Sequence, residues 1–313
     1  MTFSKEGNDL TERTVLLVDA DSHNGFPNLV LMKLSAHYKR EGWEVDFVKG
    51  IHPSPPIHLY DKSFISVIFS QNREKALEYA MMLPNCTVGG SGWDYSIKLD
   101  HDIEHILPDY SLYNLDYSLG FTSRGCIRNC GFCVVPEKEG FIHDHAPITE
   151  FLDPMHNKLI LLDNNFGASP RWRENLEFLI ENKIKVNFNQ GIDIRLVTSE
   201  FADLLAETKY YNHRFKKRAL YVAFDDMRYK NQFLKGMLTL RARGINPSHI
   251  MVYILVGYNT TFEQDLERVD LVKSLGSVPY IMRYNQVKTP ELNKLARWVN
   301  GRYHEFIEWS KYK

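Results

Sequence analysis

Short apolar runs alternate with amphipathic stretches along most of the chain. The first run, Thr14-Val-Leu-Leu-Val-Asp19, is short, apolar and β-branched and predicts a buried strand. The polar loop Ala20–Phe26 follows. Pro27 then opens a helix that stops at Gly42, with Lys39 and Arg40 in its last turn. Glu44–Val48 and Phe64–Ser70 read as further strands, residues 71–82 as a helix, and Thr87-Val-Gly-Gly90 as a strand finishing on glycines. After an N-terminal tail (1–12), this order predicts a small Rossmann-like parallel α/β domain over residues 13–90.

Residues 91–116 carry Trp93, Asp94, Pro108 and several tyrosines without clear periodicity and read as a connector. From Leu119 the alternation resumes. Strands are predicted at 118–122, 158–163, 184–189, 219–224, 250–256 and 278–283. Helices are predicted at 171–183, 198–207, 227–243 and 260–275, with Gly244 and Gly276 as stops for the last two. Six β/α units over residues 117–288 match a partial TIM-like barrel, (β/α)6, rather than a closed eight-stranded one. In the segment 289–313, Pro290–Asn300 reads as a closing helix, and His304–Tyr312 as an amphipathic continuation that covers the barrel's end.

The chain has 313 residues, 44% of them hydrophobic and 25% charged, as expected of a soluble globular protein with one large or two moderate domains. A net charge of −1 gives no general basic field, so nucleic acid is not indicated as a partner. Lys216-Lys217-Arg218 is a local basic run, read either as solvated or as a weak nucleic-acid contact. The first residues lack the apolar core of a signal peptide, and no apolar run reaches membrane-spanning length. Cytoplasmic residence without a membrane partner is the expectation. Four cysteines, three of them clustered, suit a reducing compartment and a metal site better than a disulfide scaffold.

The clustered cysteines lie in Phe121-Thr-Ser-Arg-Gly-Cys126-Ile-Arg-Asn-Cys130-Gly-Phe-Cys133, a CxxxCxxC run. Three thiolates on one short loop hold three corners of a cubane 4Fe–4S cluster and leave the fourth iron open. Structural zinc is the competing reading. It wants four ligands, and His143 or His145 would complete a Cys3His set. Cys86, at the start of an apolar strand, reads as a small hydrophobe.

The cysteine spacing and the aromatic Phe132 inside it resemble the cluster loop of the radical S-adenosylmethionine enzymes. That resemblance implies a (β/α)6 core with the cluster loop after its first strand, where Cys126 stands. It implies that the open iron holds the amino and carboxylate groups of S-adenosylmethionine. An electron passed through the cluster then breaks the sulfonium C–S bond and yields a 5′-deoxyadenosyl radical. A flavodoxin or ferredoxin would supply the electron, and Cys126, Cys130 and Cys133 would be the catalytic and metal-binding set. The substrate is unidentified.

In parallel β/α folds, ligands gather at the carboxyl ends of strands. Where the family often carries Gly-Gly-Glu to bind the methionine amino group, this chain has Asp163-Asn164-Asn165. These residues still offer acceptors to an ammonium-like group; an Asx turn or helix cap is the alternative. Gln190, Asp193 and Arg195 follow the third strand and suit the cofactor's ribose and carboxylate. Arg195 either makes a bidentate contact to that carboxylate or pairs with Asp193 or a helix acid. Asp225-Asp226 after the fourth strand touch ribose or substrate, or open the next helix. Gly257, in a segment similar to the family's fifth strand, would let the backbone approach adenine, on which Phe132 would pack. Thr260 or Thr261 is placed to cap the following helix. Arg124 and Arg128 either tune the cluster or are solvated.

Residues 13–90 are also similar to a shortened cobalamin-binding module that precedes many such cores, through Gly89-Gly90-Ser91-Gly92 and Pro108-Asp109-Tyr110-Ser111. Asp21-Ser22-His23-Asn24-Gly25 approaches the DxHxxG signature of base-off cobalamin binding. Its glycine falls one residue early, and Phe26 stands in the required place. Cobalamin-dependent methylation is thus a subordinate reading, beside a lid or substrate platform. The reading from a different class is a non-catalytic binding protein stabilised by an iron–sulfur cluster or zinc.

Overall fold

A strand buried on both faces reads as a nearly continuous apolar run, and β1 (Thr14–Asp19), apolar from Val15 to Val18, is buried at every residue. The computed structural model that shows this describes residues 13–21, 25–52 and 60–313, the side chain of Gln286 excepted. The chain divides into two units, Met1–Asp116 and Tyr117–Lys313.

In the first unit β1 is followed by α1 (Leu29–Arg40), β2 (Glu44–Lys49), β3 (Lys62–Ser66), α2 (Arg73–Ala80), β4 (Cys86–Gly89) and a short α3 (His101–Glu104). The sheet is parallel, in the order β2-β1-β3-β4. Val15 and Leu17 pack toward Leu31, Leu34 and Tyr38 of α1, while Leu16 and Val18 pack toward Ala76 and Tyr79 of α2. Asn28 caps α1 by accepting from the Leu31 amide, and its own amide donates to Ser66 Oγ at 2.8 Å.

The third strand ends at Ser66, short of the predicted Ser70. The Asp21 carboxylate accepts from the Ile68 and Phe69 amides and draws them out of the ladder. The stretch 91–116 is more than a connector, because α3 and a 3-10 turn at Tyr110–Tyr113 fold within it. Asp109 fastens that turn to α1, accepting from Ser35 Oγ at 2.6 Å, Lys39 Nζ at 2.8 Å and the Ser111 amide at 3.1 Å.

Burial alone would push the Asp109 carboxyl up, but the bonds from Lys39, Ser111 and Ser35 together carry it below its ordinary value. A depressed carboxyl stabilises the fold above its unfolded pKa of about 4, and that stability is lost as pH falls through the folded value. Urea melts between pH 7 and pH 3 are therefore expected to show a smaller loss of stability for Asp109→Asn than for the wild type. Equal losses would count against this role.

The second unit runs β5 (Ser118–Gly120), β6 (Ser123–Arg124), α4 (Val135–Lys138), β7 (His143–Asp144), α5 (Ile148–Phe151), β8 (Lys158–Leu161), α6 (Trp172–Glu181), β9 (Lys185–Phe188), α7 (Ser199–Glu207) and β10 (Lys209–Tyr210). It continues with β11 (Leu220–Ala223), α8 (Lys230–Ala242), β12 (Ile250–Val256), α9 (Phe262–Ser274), β13 (Val278–Arg283) and α10 (Pro290–Asn300). Two parallel sheets form, β10-β9-β8-β5 and β11-β12-β13, and one parallel bridge pairs Ile192 with Val222. The fold is mixed α/β with parallel sheets.

Burial alternates along β12: Val252, Ile254 and Val256 join the core that holds Val269 and Val272 of α9, and Tyr253 and Leu255 take the other face. Thr261 and Gln264 close a capping box at the start of α9. The predicted continuation over 304–312 is corrected. The chain breaks at Arg302, whose φ is +63°, and continues only as 3-10 turns. Trp298 holds those turns by donating to the Ile307 carbonyl at 2.8 Å and packing on Trp309. No helix among the described residues is long and apolar enough to cross a membrane.

Candidate functional site

The cysteine loop lies beyond the carboxyl end of β5 and is held from both sides. Asp163, 2% exposed, accepts four bonds from the lead-in: Thr122 N at 3.1 Å, Thr122 Oγ1 at 2.6 Å, Ser123 N at 2.6 Å and Ser123 Oγ at 2.7 Å. Burial pushes its carboxyl up against the pull of those donors. Asp163 thus spends its acceptors on positioning the loop. Its neighbour Asn164 accepts from the Gly125 amide at 2.9 Å. Gly125 has φ +79°, and a Cβ there would collide with the Phe141 carbonyl, so only glycine makes this turn without strain. Behind the loop, β6 and β7 pair Arg124 with His143.

Backbone and side-chain amides already point at the sulfurs. Arg128 N donates to Cys126 Sγ at 3.3 Å, Val135 N to Cys133 Sγ at 3.5 Å, and Asn165 Nδ2 to Cys126 Sγ at 3.3 Å. Asn165 is 4% exposed, and its Oδ1 is buried without a partner. Such an atom costs about 1–3 kcal/mol unless something donates to it. The Asx-turn alternative does not apply to it, since its side chain makes no cap bond to the 3-10 turn at Phe166–Ala168.

Cys130 is the electrostatic centre of the group. Burial pushes its thiol up, the Arg195 charge opposes this, and the neighbouring Cys133, Cys126 and Asp225 add to the rise. Arg195 pairs with Asp193, donating from Nε at 2.7 Å and Nη2 at 3.0 Å. Arg128, from within the cysteine loop, donates to the same carboxylate at 3.0 Å and is therefore not merely solvated. Burial would raise the Asp193 carboxyl, but the two arginines bring it below its ordinary value. Arg124 pairs instead with Glu139 at 3.3 Å and stacks on Phe121 at 4.1 Å.

Asp225 accepts from the Leu255 amide at 3.0 Å; burial pushes it up, against the Arg268 and Arg195 charges. Asp226 opens the following 3-10 turn by binding the Arg228 amide and guanidinium. Gln190 is exposed. Gly257 has φ +79°, and a Cβ there would approach Leu292 and Val287. Phe132 meets the ring of Tyr258 edge-on at 5.4 Å, and a Cβ on Gly131 would lie 2.5 Å from the Tyr258 hydroxyl. Tyr258 continues the aromatic contact to Tyr284 at 4.7 Å.

Several participants escaped the sequence reading. Arg268, fully buried, donates to the carbonyls of Phe224 at 2.7 Å and Leu255 at 2.8 Å and to Asp265 at 2.5 Å, which fixes the strand ends carrying Asp225. Tyr221 and Tyr253 stack at 5.6 Å with parallel rings, and Tyr280 meets Tyr253 edge-on. Burial pushes the Tyr253 phenol up to about 12. Only Tyr258 carried a signal, its place beside Gly257.

A cubane fits the donor set of this loop: three thiols, amide donors to two of them, and one buried acceptor beside Cys126. Among the described residues, no three His, Cys, Asp or Glu side chains are already gathered as ligands of a single metal ion. His143 is exposed and its Nδ1 lies 3.0 Å from the Phe141 carbonyl, while Arg124 Nε approaches His145 Nε2 at 3.5 Å.

A corrin finds less support in the first unit. The Asp21 carboxylate is spent on the Ile68 and Phe69 amides and on Asn72 Nδ2 at 2.6 Å, and Gly90 is pressed on the Val67 backbone. His23 lies outside the described residues, and no step is routed through cobalamin. Cys86 is half-buried against the apolar core of that unit, and burial pushes its thiol up to about 11. No protein-family model matches the chain, and none of the curated proteins matches it significantly.

Proposed function

We propose that this protein is a radical S-adenosylmethionine enzyme built on a (β/α)6 half-barrel. The successive strand order β5-β8-β9 and β11-β12-β13 supports the half-barrel. The observation that carries the function is the cysteine loop beyond the first strand, with Asn165 on Cys126 and the Arg128–Asp193–Arg195 group beside Cys130. A 4Fe–4S cluster held by these three thiolates would supply one-electron reductive cleavage of bound S-adenosylmethionine, the electron coming from an external low-potential donor.

The chain's own groups have separate tasks. Asn165 Oδ1, buried without a partner, would be the acceptor for the methionine ammonium group, the role the resemblance gives to this strand end. The amides of Arg128, Val135 and Asn165 lower the electron density on the sulfurs to which they donate, which favours the more reduced cluster. Arg195, neutralised in part by Asp193, offsets the charge at Cys130 without presenting a bare cation. Phe132 and Tyr258 form an apolar wall suited to the adenine. Tyr221, Tyr253 and Tyr280 are apolar surface with hydroxyl tips, suited to a substrate kept from bulk water.

The test is 5′-deoxyadenosine formation by anaerobically reconstituted protein given S-adenosylmethionine and dithionite. Formation that depends on Cys130 supports the reading. A protein with a full cluster and no product would make the cluster structural or electron-transferring.

A further inference from the structure

The opposite ends of the strands in the second unit carry a feature that the radical chemistry does not use. In the register of the four-stranded sheet, Lys158 pairs with Lys185 and Lys185 pairs with Lys209. Three lysines therefore stand side by side on adjacent strands, about 4.8 Å apart, with their side chains on one face. Like charges directly opposite each other destabilise a sheet. The chain has a net charge of −1, so this concentration is local.

The loop after β10 adds to it. Arg214, Lys216, Lys217 and Arg218 lie between Tyr211 and Leu220 with no acid among them. The loop is built to present these cations. Phe215 is 9% exposed and sits in the left-handed region at φ +54°, a costly conformation for a bulky residue. Its ring meets Tyr117 at 5.7 Å and lies under Lys158. Asn212 Oδ1 accepts from the Lys216 and Lys217 amides, and the Lys217 carbonyl accepts from the Asn212 amide. His213, Arg214, Lys216 and Lys217 are exposed on this turn. Arg218 lies over the Tyr210 ring at 3.7 Å, and Lys185 approaches the half-buried Tyr211.

We infer that this face is a docking surface for a nucleic-acid strand, bound through its phosphates and without sequence preference. Lysines carried in register on adjacent strands about 4.8 Å apart, with the exposed cations of the loop, match a polymer whose charges recur at short fixed intervals, and lysine is a compact phosphate partner. Tyr211 beside two cations adds a surface on which a base can stack. An acidic protein surface lacks that regular repeat. The cysteine loop lies beyond the opposite, carboxyl end of the same parallel sheet, so the surface holds a strand without itself forming the reaction site. The inference stands whether or not the radical reading does.

The test is fluorescence anisotropy of labelled oligothymidylate and oligouridylate with the full-length protein at several salt concentrations. Wild type should bind, and the triple variant Lys185→Gln, Lys209→Gln, Lys217→Gln should bind roughly tenfold or more weakly. Its log–log salt slope should be smaller by about 2, for three lost phosphate contacts on a single strand. The control triple Lys235→Gln, Lys288→Gln, Lys311→Gln has the same net charge, alters exposed lysines elsewhere, and should bind like the wild type. Absent binding by the wild type, or equal weakening in both triples, would overturn the inference. Tight binding to labelled polyglutamate in place of the oligonucleotides would also overturn it, in favour of an acidic protein partner.

Discussion

Anaerobic reconstitution of Cys130→Ala is expected to yield protein with little bound iron or labile sulfide, where the wild type should take up about four irons per chain. With S-adenosylmethionine and a strong reductant it should form no 5′-deoxyadenosine. Cys130 is the informative choice because its thiol feels Cys126, Cys133, Arg195 and Asp225 together. The fold should survive. The loop is held by Asp163 on Thr122 and Ser123 and by Asn164 on Gly125, and none of these bonds involves the sulfur. A half-buried Cys→Ala change away from the core then costs no more than about 1 kcal/mol. Iron and sulfide assays with a thermal melt check both halves. A variant that keeps a full cluster would sink the assignment of this ligand. Stoichiometric zinc with no iron in the wild type would sink the cluster itself.

Arg268→Leu should have the largest effect on stability, about 3–5 kcal/mol, because it strands a buried charge. Arg268 is fully buried, Asp265 is 1% exposed, and the guanidinium also serves the Phe224 and Leu255 carbonyls. Removing it leaves the Asp265 carboxylate with Thr260 Oγ1 as a side-chain donor and two strand-end carbonyls without this partner. The double variant Arg268→Leu, Asp265→Leu should recover part of the loss, since replacing both members of a buried pair with apolar groups is far less costly. Urea unfolding of the three proteins measures this. A single variant within about 1 kcal/mol of wild type would refute the role. The site should suffer too, because the Leu255 amide that orients Asp225 belongs to the strand end Arg268 secures.

The six longer strands of the second unit, β5, β8, β9, β11, β12 and β13, were legible because each is a short apolar or β-branched run between amphipathic helices. Their observed limits fall close to the expected ones. The short pair β6–β7, the two-residue β10 and the one-turn helices α4 and α5 were not legible. They are too short to show a period, and tertiary bonds such as Arg124 with Glu139 hold them. The break after α10 was missed for a related reason. The 304–312 pattern is amphipathic, yet it is Trp298 and Trp309 that decide where those residues fold.

Among the site residues, only the cysteine loop carried its own evidence, since three cysteines at that spacing have few other uses. The nearby polar residues had two readings each, and spatial partners chose between them. Arg195 pairs with Asp193, Asp226 starts a turn, and Asp163 braces the loop. Local order along the chain was enough for the strand–helix alternation and the three-cysteine loop, because both depend on neighbours in sequence. Only the fold could reveal the unpartnered Asn165 oxygen, the buried Arg268 and the row Lys158–Lys185–Lys209. Whole helices separate their members in sequence, and strand register and burial, which no local pattern encodes, bring them together.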